Sequence, residues 1–254
     1  MPRPRNHRTA SLSCGLATAA LALAAAAADP GPAIPVAAFS AASPGTALPD
    51  GWAPMTFRNI SRHTRYTLVR DAEQGVVVRA EADASASGLI RRFDSPAADH
   101  PLLRWRWKVE RPIRNSDVTR KDGDDYPARI YVSFRYDPAR LSLVEQAKYA
   151  AARVLYGEYP PHAALNYIWD AKAPVGTIVP NPFTDRVRMI VVQSGTADVG
   201  RWLAYERDIV ADYRNAYGEE PPPLAGIAIM TDADNTGESA LAYYGDIELA
   251  KRRP

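Results

Sequence analysis

The sequence has 254 residues, of which 46% are hydrophobic and 24% charged, so one large domain with a buried core is expected. Its formal net charge of +2 includes Arg3, Arg5 and Arg8 near the N-terminus, and without them 28 basic residues remain against 29 acidic ones, or −1. This balance argues against double-stranded nucleic acid as a partner.

The N-terminal segment is typical of a secretory signal peptide. Its three arginines precede an apolar run from about Leu12 to Ala28, and no cationic stop signal follows Asp29-Pro30. We therefore expect removal of residues 1–28 on export, a periplasmic or secreted protein, and no permanent membrane span. The single cysteine, Cys14, lies in this segment, so the mature chain forms no disulfide and depends on its core.

Strand patterns follow. Residues 29–54 are rich in Ala, Pro, Ser and Gly, which indicates a linker with an entry strand at "IPVAAF". The stretches "PLLRWRWKVE" and "ARIYVSFRY" alternate strictly between apolar and polar residues, a period typical of half-buried strands. This period places Leu103, Trp105, Trp107 and Val109 on the face that packs in the core.

Two helices interrupt the strands. Pro138 begins a segment in which Leu141, Val144, Ala147, Ala151 and Val154 recur at spacings of three and four, and Gly157 is a candidate cap. A second helix is predicted from Ile209 to Tyr217, ending at Gly218 and three prolines.

About nine short strands with two inserted helices predict a mainly β fold. We expect a single antiparallel β-sandwich domain over residues 55–254, of the jelly-roll or galactose-binding-like kind, because the βαβ rhythm of a parallel sheet is absent. The alternative is an α+β domain with one sheet.

Two acidic loops are the nearest approach to a chemical motif. "TDADNTGE" resembles the first half of an EF-hand loop, but Tyr243 stands where the bidentate Glu is needed, so this is not an EF-hand. If "KDGDDYP" meets this loop at one end of the sandwich, a calcium ion would relieve the repulsion among their carboxylates. The alternative is two ordinary turns. The candidate ligands are Asp122, Asp124, Asp125, Asp232, Asp234 and Thr236.

The order of the segments also resembles a known family. "LLRWRWKVE", "DGDDYPARIYVSF", "NYIWD", "RVRMIVVQSG" and the long segment that contains "TDADNTG" together resemble a bacterial family catalogued as domain of unknown function 3047. The resemblance extends from about Phe57 to Leu249. It implies an exported bacterial protein, and it brings no established reaction, substrate or catalytic residue.

Polar-tipped aromatic rings and cations suggest a ligand-binding surface. Trp and Tyr together outnumber Phe, and such rings stack on sugar faces while bonding hydroxyls. If the polar faces of the strands adjoin, their arginines form a cationic platform for an acidic glycan; otherwise they are solvated and paired with nearby acids. The candidate contacts are Arg104, Arg106, Arg129, Tyr131, Arg135, Trp169 and Tyr244, with Tyr244 expected to point outward.

The sequence therefore favours an exported binding module for envelope carbohydrate or another small polar ligand. A glycan-active hydrolase or lyase needs only two facing carboxylates and stays an alternative, with Asp124, Asp125, Glu206, Asp208, Asp232 and Asp234 available. A periplasmic structural or assembly protein is the third interpretation. The sequence lacks a nucleophile elbow and the close His or Cys spacing of a zinc site.

Overall fold

A computed structural model describes residues 33–156 and 160–253, with thirteen strands and two α-helices in those ranges. The predicted signal peptide and Gly157 lie outside the described residues. The elements are β1 Ala33–Ala37, β2 Trp52–Met55, β3 Arg65–Asp71, β4 Gly75–Asp83, β5 Ala86–Ser95, β6 Leu102–Arg111, β7 Arg129–Phe134, α1 Leu143–Tyr156, β8 Ala163–Asp170, β9 Ile178–Asn181, β10 Thr184–Ser194, β11 Leu203–Asp208, α2 Ile209–Tyr217, β12 Leu224–Asp232 and β13 Ser239–Ala250.

The strands form two sheets that pack face to face, so the predicted β-sandwich with two helices is confirmed. The first sheet has the order β11-β6-β13-β4-β3, and β1 also pairs with β13. The second sheet has the order β2-β5-β12-β7-β8-β10-β9. The expectation of purely antiparallel pairing is wrong at one place, because β8 and β10 run parallel. The loop after β8 and the short β9 carry the chain back across the sheet before β10 begins.

The core lies between the sheets and is rich in aromatic rings. Trp105 and Trp107 are buried on the inner face of β6, as their alternation with arginines predicts. The ring of Trp105 stacks on Tyr167 of the opposite sheet, with centroids 5.2 Å apart. It also stacks on Tyr205 of β11 at 5.1 Å. The contact with Tyr167 joins the two layers, whereas the contact with Tyr205 lies between neighbouring strands of the first sheet.

Helix α2 has the predicted bounds, and its ends show why. The Asp208 carboxylate accepts hydrogen bonds from the backbone N–H groups of Val210 and Ala211, which caps the first turn. Gly218 adopts a left-handed conformation with φ 75° and donates its N–H to the Arg214 carbonyl, which ends the helix.

Helix α1 begins later than predicted. Pro138 opens a short 3-10 turn, and the α-helix starts at Leu143, after a capping box formed by Ser142 and Glu145. Its apolar stripe does not pack on the core. Val144 and Val154 are 66% and 86% exposed. Among the described residues, no helix is long and apolar enough to cross a membrane.

Candidate functional site

The two acidic loops meet at one end of the sandwich, where they form a cluster that we call the acidic rim, residues 122–125 and 231–236. Strand β12 pairs antiparallel with β7, with Met230 opposite Arg129. The chain that leaves β12 therefore passes beside the chain that enters β7. This register brings Asp124 and Asp232, which lie far apart in the sequence, to the same buried arginine.

The guanidinium of Arg129 is the centre of the acidic rim. Its Nε donates to Asp232 Oδ1 at 2.8 Å, and Nη2 donates to Asp232 Oδ2 and to the Asp124 carbonyl. Nη1 donates to Asp124 Oδ1 at 3.3 Å and to Tyr131 Oη at 3.1 Å. The guanidinium also lies over the Tyr126 ring, 4.4 Å from its centroid.

All five N–H donors of the Arg129 side chain are thus used inside the protein. The prediction that Arg129 contacts a ligand is wrong, because the side chain is buried and has no donor left to offer. The guanidinium supplies the positive charge that we expected a calcium ion to supply. It does so for Asp124 and Asp232 but not for Asp122, Asp125 and Asp234.

Asp125 is held in place by neutral donors. This buried carboxylate accepts hydrogen bonds from the Thr236 backbone N–H at 2.6 Å and from the Asn235 backbone N–H at 3.3 Å. The Asn235 side-chain amide donates to it at 3.1 Å. The Asx-rich loop 231–236 therefore folds around Asp125 and ties the start of β7 to the end of β12.

Three carboxylates still converge in the rim. Oxygens of Asp125, Asp232 and Asp234 all lie within 4.8 Å of one another. Burial, and then the neighbouring Asp125, raises the pKa of Asp234 above its ordinary value. Oxygens at this spacing fit around one calcium ion, whose bonds to oxygen are about 2.3–2.6 Å long.

The other predicted metal ligands do not join this group. Asp122 is exposed and pairs with Arg120. Asp124 faces Arg129 and the Asn181 amide, whose Nδ2 donates to it at 2.9 Å. Thr236 lies at the rim through its backbone N–H.

Two predicted surface aromatics are core residues, which corrects the sequence interpretation. Trp169 is buried in β8, and its Nε1 donates to the Gly195 carbonyl at 2.8 Å. Tyr244 is fully buried, and its Oη donates to the Met230 carbonyl at 2.6 Å and lies 2.9 Å from Thr231 Oγ1.

A β-bulge explains the error at Tyr244. The pairing of β13 with β6 shifts register between Tyr244 and Ile247, so both residues face the core although they are three apart. Simple alternation, counted back from Ile247, places Tyr244 outside.

The predicted arginines do not form one platform. Arg104 and Arg106 lie on β6 of the first sheet, whereas Arg135 follows β7 of the second sheet and pairs with Asp94. Tyr131 is also on β7, half-buried beside Arg129, and burial raises its pKa to about 12. The alternative, that these cations are paired with nearby acids, describes Arg104 and Arg135 better.

An open depression of about 590 Å³ lies on the outer face of the first sheet, and we call it the outer depression. It brings together Arg104 and Arg106, both predicted contacts, with side chains from β11, β13 and the β3–β4 turn. Arg104 donates to Glu206 at 2.6 Å and to Glu248 at 3.1 Å. Arg106 donates to the amide oxygen of Gln74 at 2.9 Å. The charged residues that line the outer depression are Glu73, Arg104, Arg106, Glu206, Asp246 and Glu248.

Partly exposed aromatic rings lie beside the outer depression. Trp202 and Arg106 lie on either side of Gly245. The position that a Cβ would occupy on this glycine is 3.4 Å from Arg106 Cβ and 3.8 Å from the Trp202 ring. The amine of Lys108 lies 5.4 Å from the Trp202 centroid and 4.7 Å from that of Tyr243. Trp202 Nε1 donates to Asp71, which also binds Lys108. This row of side chains is therefore held in place before any ligand arrives.

Sequence reasoning found only part of this lining. The alternation of polar and apolar residues along β6, β11 and β13 is sufficient to place Arg104, Glu206 and Glu248 on the outer face of the sheet. The sequence does not show that Gln74, from a turn, reaches Arg106, or that the bulge in β13 projects Asp246 toward them.

Comparisons with known proteins give one family and several distant structural similarities. A search of curated proteins finds no match. The family 11 carbohydrate-binding module of the cellulase Lic26A-Cel5E of Clostridium thermocellum is similar with a TM-score of 0.44 and 8% identity, over 87% of this chain and 96% of the module. The family 30 module of Cel9D-Cel44B of the same organism gives 0.42 and 9%, over 87% and 99%. The family model described as "Protein of unknown function (DUF3047)" matches residues 50–248, and the chain belongs to that family.

Proposed function

We propose that the protein is an exported β-sandwich module that binds carbohydrate in the outer depression of its first sheet. The observation that carries the proposal is the outer depression itself, an open cavity of about 590 Å³ lined by fixed charged and amide side chains beside Trp202. Its volume is in the range of sites for small ligands, about 300–1,000 Å³. The apolar N-terminal segment supports export.

The lining supplies what sugar hydroxyls need. Each hydroxyl donates one hydrogen bond and accepts others, so a sugar site requires donors and acceptors side by side. Arg106 supplies donors, Gln74 supplies both, and the carboxylates of Glu206 and Glu248 accept. Because Arg104 holds both glutamates, their oxygens are oriented without a ligand, and less side-chain freedom is lost on binding.

The charge of the lining favours a neutral glycan. Two cationic and four anionic side chains line the outer depression, so a uronate or phosphate-bearing chain would meet a net negative surface. This replaces the acidic glycan that a cationic platform would bind. A neutral oligosaccharide needs no charge compensation and can use every donor and acceptor in the row.

The acidic rim supports the glycosidase alternative less well. Asp125 and Asp232 are buried, and their bonds to Arg129 and to loop 231–236 leave them facing protein groups rather than an open cleft. Glycoside hydrolysis needs two carboxyl groups on either side of a bound sugar. Calcium at the rim stays a prediction, supported by the three convergent carboxylates and independent of the sugar site.

The test is a binding screen of the chain without residues 1–28 against neutral and uronate-containing oligosaccharides, followed by titration calorimetry. We expect a neutral glycan to bind, and Arg106→Ala to weaken it at least about tenfold, because a charged hydrogen bond is worth roughly 1.5–3 kcal/mol. Arg65→Ala is the matched control, since Arg65 lies at the far edge of the same sheet and pairs with Glu81. If no glycan binds the parent, or if the two variants bind equally, the proposal is wrong.

A further inference from the structure

Helix α1 presents an apolar stripe to the outside of the molecule. Leu143, Val144 and Val154 are 83%, 66% and 86% exposed. At 3.6 residues per turn, these side chains share one side of the helix with three exposed alanines. The alanines are Ala147, Ala150 and Ala151. A stripe of this kind normally packs on a core, and here it lies on the surface.

The opposite side of α1 is anchored, so the stripe is held outward. The Tyr149 hydroxyl donates to the carbonyls of Pro161 and His162, at 2.9 and 3.1 Å. Its ring stacks on Tyr136 with centroids 4.5 Å apart. Gln146 donates to the Pro138 and Leu141 carbonyls at 3.0 Å. The inner side of the helix is therefore bonded to the segments that connect it to β7 and β8.

Two cationic residues of the helix flank the stripe. Lys148 and Arg153 are exposed, and helical geometry places them on either side of the apolar residues. The one acidic residue of the helix, Glu145, forms an ion pair with Arg186. An apolar stripe between two cations is the pattern of a helix that lies in a membrane interface.

We propose that α1 docks the protein on the surface of a bilayer that contains anionic lipid. The apolar residues enter the boundary between headgroups and acyl chains, while Lys148 and Arg153 contact anionic headgroups. A second copy of this chain is a poorer occupant, since packing two stripes together brings the cations of both copies close. Because α1 connects β7 and β8 of the second sheet, docking leaves the outer depression of the first sheet open.

The experiment is flotation of the chain without residues 1–28 on vesicles of phosphatidylcholine alone or with phosphatidylglycerol. We expect binding to the mixed vesicles, and at least about a tenfold lower partition coefficient for Val144→Asp, because the Asp must enter the interface. The new Asp lies in the first helical turn, where it favours the helix, so loss of α1 cannot explain the effect. Val175→Asp is the matched control, since Val175 is exposed to a similar extent, 60%, but lies outside α1.

Replacing both Lys148 and Arg153 with Gln should reduce binding to mixed vesicles while leaving the far-UV circular dichroism unchanged. The proposal is overturned if the parent does not float with mixed vesicles, or if Val144→Asp and Val175→Asp lower binding equally. It is also overturned if the parent is a dimer in light scattering that Val144→Asp converts to a monomer. Glycan binding by Val144→Asp should match the parent, so failure here is separable from failure of the sugar site.

Discussion

Asp234→Asn should raise the stability of the protein when divalent ions are removed. Asp234 has an oxygen within 4.8 Å of an oxygen of buried Asp125, and burial and this neighbour raise its pKa. Two like charges at that distance repel by about 1–3 kcal/mol for an effective dielectric constant between roughly 80 and 20. The isosteric amide removes this repulsion. For a domain of this size, about 1 kcal/mol corresponds to a Tm increase of roughly 2–4 °C.

The measurement is thermal unfolding by circular dichroism with chelator. A raised pKa in the folded state means that ionised Asp234 costs stability at neutral pH, so the gain should fade as the pH falls toward about 4 and should be absent below that pH. Asp99→Asn, a change at an exposed carboxylate away from the rim, should leave the Tm unchanged. If Asp234→Asn melts below the parent in chelator, repulsion at the rim is the wrong description.

If the rim binds calcium, the ion should reverse the order of the melting temperatures of the parent and Asp234→Asn. A ligand at about a hundred times its Kd stabilises the folded state by roughly 2.7 kcal/mol. The parent should then melt higher in calcium than in chelator, while Asp234→Asn, which lacks one of three carboxylates, should gain much less. Equal melting temperatures of the parent in both buffers would rule out calcium and leave Arg129 as the cation that holds Asp124 and Asp232.

Three further changes test the remaining structure. Arg129→Met should destabilise the protein by about 3–5 kcal/mol in urea unfolding, and Arg129→Met with Asp232→Leu should recover much of this, because the single change leaves a buried charge unpaired. Tyr244→Phe should cost about 1–2 kcal/mol in the same assay, since its hydroxyl bonds within the core. Two arginines lower the pKa of Glu81 to about 2, so Glu81→Gln should be less stable by about 1 kcal/mol above pH 4.5. This difference should shrink as the pH falls toward about 2, and a difference that persists there contradicts the ion pair.

Local patterns were sufficient for much of the fold. The alternation around Trp105 and Trp107 placed both rings in the core, and the cap signals of α2 set both its ends. These features depend on residues within one or two turns of each other. The parallel pairing of β8 with β10 depends instead on where a return loop lands, and no local period records it.

The site was harder to predict because contacts between strands that are distant in the sequence determine its structure. The acidic loops were expected to meet, and they do. The number of charged residues in the sequence does not show that Arg129, at the start of β7, points inward and compensates the charges of Asp124 and Asp232 in place of a metal. That choice depends on Arg129 lying opposite Met230, which the register of β7 and β12 determines. One arginine with five satisfied donors can fix a loop junction without an ion. Within the convergent group of Asp125, Asp232 and Asp234, Arg129 bonds only Asp232, so a calcium ion would compensate the charges of Asp125 and Asp234. The stability of Asp234→Asn in chelator and in calcium therefore separates a rim that binds an ion from a rim that does not.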